Sequence, residues 1–278
     1  MTNVLTMNDY SLTNKGEYEM YNTLRLEKEG RIATLTLNRP EAMNSMNEIM
    51  MQELADCLES LKEDISVQLL LLKGEGRAFS AGGDIKAMLD TENPFNIEEA
   101  MEYVSRIALA LYTLPQITIA SVHGAAAGLG FSMVLGCDIV IAEENSKLAM
   151  NFIGIGLVPD GGGHFFLKER VGVPKAKQLM WNGQVFTGIE ARKIGLVDEI
   201  ASDGLGWATA TSYAQKLLQS PIAAMIASKE ILHASKIEEL KSILEQEAVT
   251  QTAMRKTADH VEGINAFVEK RKPEFKGK

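Results

Sequence analysis

Ile117-Thr118-Ile119-Ala120-Ser121-Val122-His123-Gly124-Ala125-Ala126-Ala127-Gly128-Leu129-Gly130 is the stretch on which the reading of this chain turns. From Ile117 to Cys137 His123 is the only residue that can carry a charge, so on length alone the segment would span a bilayer. Its internal grammar says otherwise. ITIASV is a β-branched run of strand length, and GAAAGLG is a glycine-rich turn leading into a helix. The segment therefore reads as a buried strand followed by a buried helix.

The same alternation recurs outward from it. Val67 to Leu72 (VQLLLL) is another short apolar run, Arg31 to Leu37 (RIATLTL) a strand ending before Pro40, and Asp138 to Ala142 and Leu148 to Phe152 are further strand candidates. Between them, Glu48 to Lys62 places Ile49, Met50, Leu54, Leu58 and Leu61 at spacings of three and four, as one face of a helix starting near Asn44 to Asn47 requires. Continuous apolar strands separated by helices predict an α/β fold with parallel strands covered by helices. After about Gly204 the strand signal fades. Trp207–Leu218, Pro221–Leu232, Ile237–Met254 and Ala258–Lys270 all read as helices. The expected organisation is a loose tail over residues 1–20, a core over 21–203 and a helical region over 204–278. No repeat, low-complexity tract or Pro/Ser-rich linker divides it.

Composition narrows the function classes. The chain has 278 residues, 46% hydrophobic and 23% charged, which is globular and sufficient for one large domain. A net charge of −9 argues against nucleic acid as the main partner, because phosphate binding rests on clustered Lys and Arg. Cys57 and Cys137 stand far apart with no metal-ligand spacing, so they read as buried small hydrophobes and no metal site is expected. The first 20 residues lack the basic start and apolar centre of a secretory signal, which points to the cytoplasm.

Chemistry concentrates in three glycine-rich segments. In Gly74 to Lys86 (GEGRAFSAGGDIK), small residues Ser80 to Gly83 allow close backbone approach and Asp84 suits a helix cap, so amides there can meet an anion; an ordinary turn accounts for the same letters. His123 to Gly130 repeats that strand-to-helix geometry, without the spacing of a dinucleotide fingerprint, a phosphate loop or a nucleophile elbow. In Ile153 to His164, the carboxylate of Asp160 sits among glycines and apolar residues, where desolvation would keep it basic enough to move a proton; Pro-Asp-Gly is equally good turn chemistry.

Together, LNRPEAMNSM, GRAFSAGGDIK, GAAAGLG, GLVPDGGG, FTGIEARKIGLVDEI and GINAFVEKRKPEF resemble, in order and spacing, the enoyl-CoA hydratase/isomerase (crotonase) superfamily, from about Thr23 to the C-terminus. The resemblance implies a ββα spiral core with a helical C-terminal region used in oligomerisation, a homotrimer or a dimer of trimers, and an acyl-CoA thioester as substrate, with coenzyme A belonging to that substrate and no separate cofactor. It places an oxyanion hole on the amides of Gly83 and Leu129. It lays the coenzyme A moiety along Ala42, Met43, Ala81, Asp84, Ile85 and Lys86, with Phe267 and Lys270 reaching the nucleotide end.

Departures from the family pattern shape the expected reaction. Where the hydratases of the family carry two glutamates, this chain has Ser132 and Phe152. A hydroxyl and a phenyl ring cannot share acid and base duty for adding water. Asp160 falls where single-acid isomerases of the family carry theirs, so the expectation is double-bond isomerisation with Asp160 as proton shuttle. An atypical hydratase and a non-catalytic acyl-CoA-binding subunit are the alternatives. His164, one helical turn further on, is a secondary candidate for orienting a carboxylate or a water.

Overall fold

The computed structural model describes residues 17–89 and 96–278. Of the tail expected over residues 1–20, residues 1–16 lie outside the described residues, and Glu17–Met20 form strand β1.

β1 pairs antiparallel with β2 (Leu24–Glu29), and β2 pairs antiparallel with β3 (Ile32–Leu37). A short 3₁₀ turn at Pro40–Ala42 leads to helix α1 (Glu48–Lys62), whose first turn is capped by the Asn47 side chain accepting from the Met50 amide. Strand β4 (Leu69–Gly74) follows, then the four-residue α2 (Ile85–Met88) and the long α3 (Ile97–Thr113).

The chain then makes two similar passes. β5 (Ile117–Val122), β6 (Ala125–Ala127) and α4 (Leu129–Leu135) form one strand-strand-helix unit. β7 (Ile139–Glu143), β8 (Lys147–Ala149), a 3₁₀ turn at Phe152–Ile155 and α5 (Gly163–Asn182) form the next. α5 is broken at Gly172, where φ is 74°, two residues before Pro174. β9 (Val185–Thr187), α6 (Gly188–Lys193) and β10 (Glu199–Ala201) close the core. α7 (Gly206–Leu218), α8 (Ile222–Ala234), α9 (Ile237–Met254) and α10 (Ala258–Val268) complete the chain.

The first strand of each pass joins a seven-stranded sheet ordered β1-β2-β3-β4-β5-β7-β10, parallel from β3 onward. The second strand joins a three-stranded sheet ordered β6-β8-β9. Repeating that step winds the chain into the expected ββα spiral. Every residue of β5 is buried, because α7 packs on one face of the large sheet and the spiral interior on the other.

Ile117 to Cys137 is thus two strands and a helix, and no helix among the described residues is long and apolar enough to cross a membrane. Cys57 and Cys137 are both buried, and burial pushes the Cys137 thiol up to about 12. The strand expected from Leu148 to Phe152 is shorter. β8 stops at Ala149, and Phe152 enters the 3₁₀ turn that redirects the chain toward α5.

Candidate active site

The first two glycine-rich segments are stitched edge to edge. The amides of Phe79 and Ser80 donate to the carbonyls of His123 and Ala125 at 2.9 and 3.0 Å, and Ala127 donates back to the Ser80 carbonyl at 3.0 Å. Glycine is required where they meet. Gly82 has φ +93°, and a Cβ there would stand 2.6 Å from the Ala127 carbonyl oxygen. Ser80, fully buried, locks the turn by donating to the Asn44 carbonyl at 2.8 Å and accepting from the Gly82 amide at 3.1 Å.

Two amides emerge beside this seam. The Gly83 amide follows the turn, and the Leu129 amide opens α4, where a first-turn N–H has no intrahelical acceptor. Among the described residues neither donates a hydrogen bond. Both residues line one cavity of about 170 Å³, together with Ala81, Ile85, Phe152 and Asp160. Its remaining wall is mostly apolar, with Met51, Met88, Met101 and Val104 prominent.

Asp160 enters from the turn before α5 and is 8% exposed. Gln251 Nε2 of α9 donates to its Oδ2 at 2.8 Å, while Oδ1 is buried and has no hydrogen-bond partner among the described residues. Burial first, and then the negative charge of Glu247, push the carboxyl up to about 7, against the Gln251 hydrogen bond and the charges of His164 and Arg255. A carboxyl at that level changes its proton near neutral pH, as a reversible base must. Its glycine neighbours serve proximity: a Cβ at Gly161 (φ +63°) would lie 2.5 Å from Leu129 Cδ1.

The other sequence candidates divide. Ala81, Ile85 and Phe267 reach the cavity; Ala42, Met43, Asp84, Lys86 and Lys270 do not line it. Asp84 holds its own turn, with Oδ1 accepting from the Lys86 amide at 3.1 Å and Oδ2 from Arg39 Nη1 at 2.9 Å. Met43 and Asn44 both take left-handed φ, 51° and 53°. Asn44 stabilises that bend by donating to the carbonyls of Glu75 and Ala78. Lys270 follows α10 in a left-handed turn, its amide 3.2 Å from the Phe267 carbonyl oxygen.

Ser132 is fully buried on α4 with its hydroxyl 3.7 Å from Met150 Sδ, and Phe152 presents its ring to the cavity. Neither side chain brings an ionisable group to the cavity. His164 lies behind the site: Nδ1 is 2.8 Å from Glu247 Oε1, and the ring lines a separate surface depression. It meets a carboxylate, but not that of Asp160. Glu247, Gln251 and Arg255 were not among the sequence candidates. Their signal was present in α9, whose buried face runs Leu240, Leu244, Glu247, Gln251 at helical spacing. Two polar residues there occupy positions where a helix of this kind buries apolar ones.

Comparison with known proteins bears on this arrangement. The family model described as Enoyl-CoA hydratase/isomerase matches residues 27–278. YhaR of Bacillus subtilis (strain 168), provisionally named an enoyl-CoA hydratase/isomerase, is 47% identical over 247 residues, spanning 88% of this chain and 96% of that protein. The 1,2-epoxyphenylacetyl-CoA isomerase of Escherichia coli (strain K12) is 34% identical, spanning 90% and 97%. The crystal structure of an enoyl-CoA hydratase from Mycobacterium avium subsp. paratuberculosis K-10 superposes with a TM-score of 0.84 at 30% identity, over 92% of this chain and all of that one (100%). Relatives named for isomerisation and for hydration therefore share this fold.

Proposed function

The chain belongs to the enoyl-CoA hydratase/isomerase family, and from that premise we propose that it shifts the double bond of an enoyl-CoA thioester, with Asp160 carrying the proton. The carboxylate of Asp160 takes a proton from C2 of a 3-enoyl thioester. The electron pair released moves onto the thioester oxygen, which the Gly83 and Leu129 amides receive as an enolate. Asp160, now a carboxylic acid, returns the proton to C4 as the enolate collapses, and the double bond lies between C2 and C3. One proton moves, nothing is oxidised, and the chemistry needs no metal or second cofactor.

The observation that carries this reading is Asp160 itself. One carboxyl is desolvated to the edge of neutrality, with an oxygen that has no partner among the described residues, in the cavity that Gly83 and Leu129 also line. Hydration by two carboxylates has no second acid at Ser132 or Phe152. Ala42, Met43, Ala81, Asp84, Ile85 and Lys86 are our assignment for coenzyme A, with Phe267 and Lys270 at its nucleotide end. We read the assembly as a homotrimer or dimer of trimers, for which exposed Trp181, Ile231 and Leu232 supply apolar surface.

The test offers purified protein a 3-enoyl-CoA and, separately, a 2-enoyl-CoA in water, and separates the products by chromatography. Conjugated 2-enoyl-CoA from the first, without 3-hydroxyacyl-CoA from the second, is expected. Rapid formation of 3-hydroxyacyl-CoA without double-bond migration would overturn the proposal.

A further inference from the structure

Asp160 is held from behind by α9, which brings Gln251 to the cavity and is capped by Arg255, a second polar residue of its lining. Gln251 donates to Asp160 Oδ2 at 2.8 Å, so that oxygen is occupied and Oδ1 is the one left to take a proton. One turn earlier on α9, Glu247 is 3% exposed. Its Oε2 accepts from the Gly162 amide at 2.8 Å, and its Oε1 accepts from the His164 amide at 3.1 Å and meets His164 Nδ1 at 2.8 Å. Gly162 and His164 flank the first residue of α5, and Asp160 stands just before them. Glu247 thus grips the turn that presents Asp160.

Resting on the reading of Asp160 as the proton shuttle, we propose that Glu247 and Gln251 are a positioning pair. Gln251 selects the oxygen that reacts, and Glu247 fixes the turn while placing a negative charge behind the base that keeps it basic. The two act on the base in opposite directions. A hydrogen bond donated to a carboxylate favours its charged form, whereas a buried negative neighbour disfavours it. Among the described residues, the remaining charged groups facing Asp160 are His164 of α5 and Arg255 at the C-cap of α9, both of which favour the carboxylate. Around the adjacent Gly161, α3 and α4 bring Val104, Leu129 and Ser132, none of them charged.

A residue that merely supports folding would lower activity at every pH. A positioning pair of this kind predicts opposed shifts. The pH dependence of kcat for 3-enoyl-CoA isomerisation is measured for wild type, Glu247→Gln, Glu247→Asp, Gln251→Leu and Asp160→Asn. The acidic limb is expected to move down by about one pH unit in Glu247→Gln, to move up in Gln251→Leu, and to stay near wild type in Glu247→Asp, which keeps the charge. The same order is expected without substrate, from infrared titration of the carboxylic-acid band that Asp160→Asn removes. An unmoved limb, or shifts of the same sign in Glu247→Gln and Gln251→Leu, overturns the pairing while leaving Asp160 as base, provided Asp160→Asn is inactive. Full activity in Asp160→Asn overturns the reading of Asp160 itself. Should Glu247→Gln fail to fold, Gln251→Leu carries the test alone, and a limb that stays or falls is the contrary result.

Discussion

Gln251 and Asp160, 91 residues apart in the chain, meet through a 2.8 Å hydrogen bond inside the protein. The donor lies on a helix of the C-terminal region and the acceptor on a turn of the spiral core, so the core alone does not complete the surroundings of its own carboxyl. Burial, and then the negative charge of Glu247 on α9, lift Asp160 to about 7. The sequence of the last third therefore bears directly on chemistry in the middle third.

The first consequence is a pH profile. Asp160 must begin as a carboxylate to accept the C2 proton, and it holds its own proton below about 7. Isomerase kcat is expected to fall about tenfold for each pH unit below that point, with a single ionisation governing the acidic limb. Initial rates across a pH series check this; a limb near the ordinary carboxylate value of 3.8 would remove the desolvated base.

Stability should move the other way. The folded state keeps a proton on Asp160 that the unfolded chain releases near 3.8, so the associated stability is present below 3.8 and is lost as pH rises through about 7. Asp160→Asn carries no such penalty. Its thermal midpoint is expected to exceed wild type by a few degrees at about pH 8, with the advantage shrinking as the pH falls to about 4. Calorimetry at the two extremes is the check.

Gly82 tests the seam between the loops. A methyl group there would sit 2.6 Å from the Ala127 carbonyl oxygen, at a backbone angle that side chains rarely adopt. Gly82→Ala is expected to push the Gly83 amide out of line with Leu129 and lower kcat by about 10²-fold, as loss of one oxyanion donor does. Steady-state kinetics would show the fall in kcat, with KM changing far less.

Lys229 separates fold from catalysis. It is 8% exposed, and its Nζ donates to Asp138 Oδ2 and to the Gln116 carbonyl, each at 2.7 Å, which fastens α8 to the sheet. Removing one member of such a pair strands the other, so Lys229→Met is expected to cost about 3–5 kcal/mol of stability. Urea unfolding measures that loss. kcat per folded molecule should be unchanged, because neither residue lines the cavity.

Periodicity made most of the architecture legible. α9 runs over Ile237–Met254 as its spacing predicts, and β5 coincides with ITIASV, because long amphipathic helices and continuous apolar strands leave unambiguous patterns. The strand expected from Val67 begins two residues later, at Leu69, where pairing with Ile32 and Ile117 starts. The three-stranded sheet was largely hidden: β6, β8 and β9 span three residues each, too short for a periodic signal. In the site, Asp160 was readable as a carboxylate in a glycine-rich turn, and Gly83 and Leu129 only through the family resemblance laid over two further such turns. Glu247 and Gln251 were not, since which core residues a distant helix face will meet is decided by packing rather than by local sequence.

Deuterium incorporation tests whether Asp160 is the base. Wild type and Asp160→Asn are incubated with 3-enoyl- and 2-enoyl-CoA in heavy water, and acyl-chain exchange and double-bond position are followed by mass spectrometry. Rapid exchange with migration in the wild type, reduced at least about 10²-fold in Asp160→Asn, is the predicted result. Exchange and migration undiminished in the variant would contradict the assignment of Asp160 as the base.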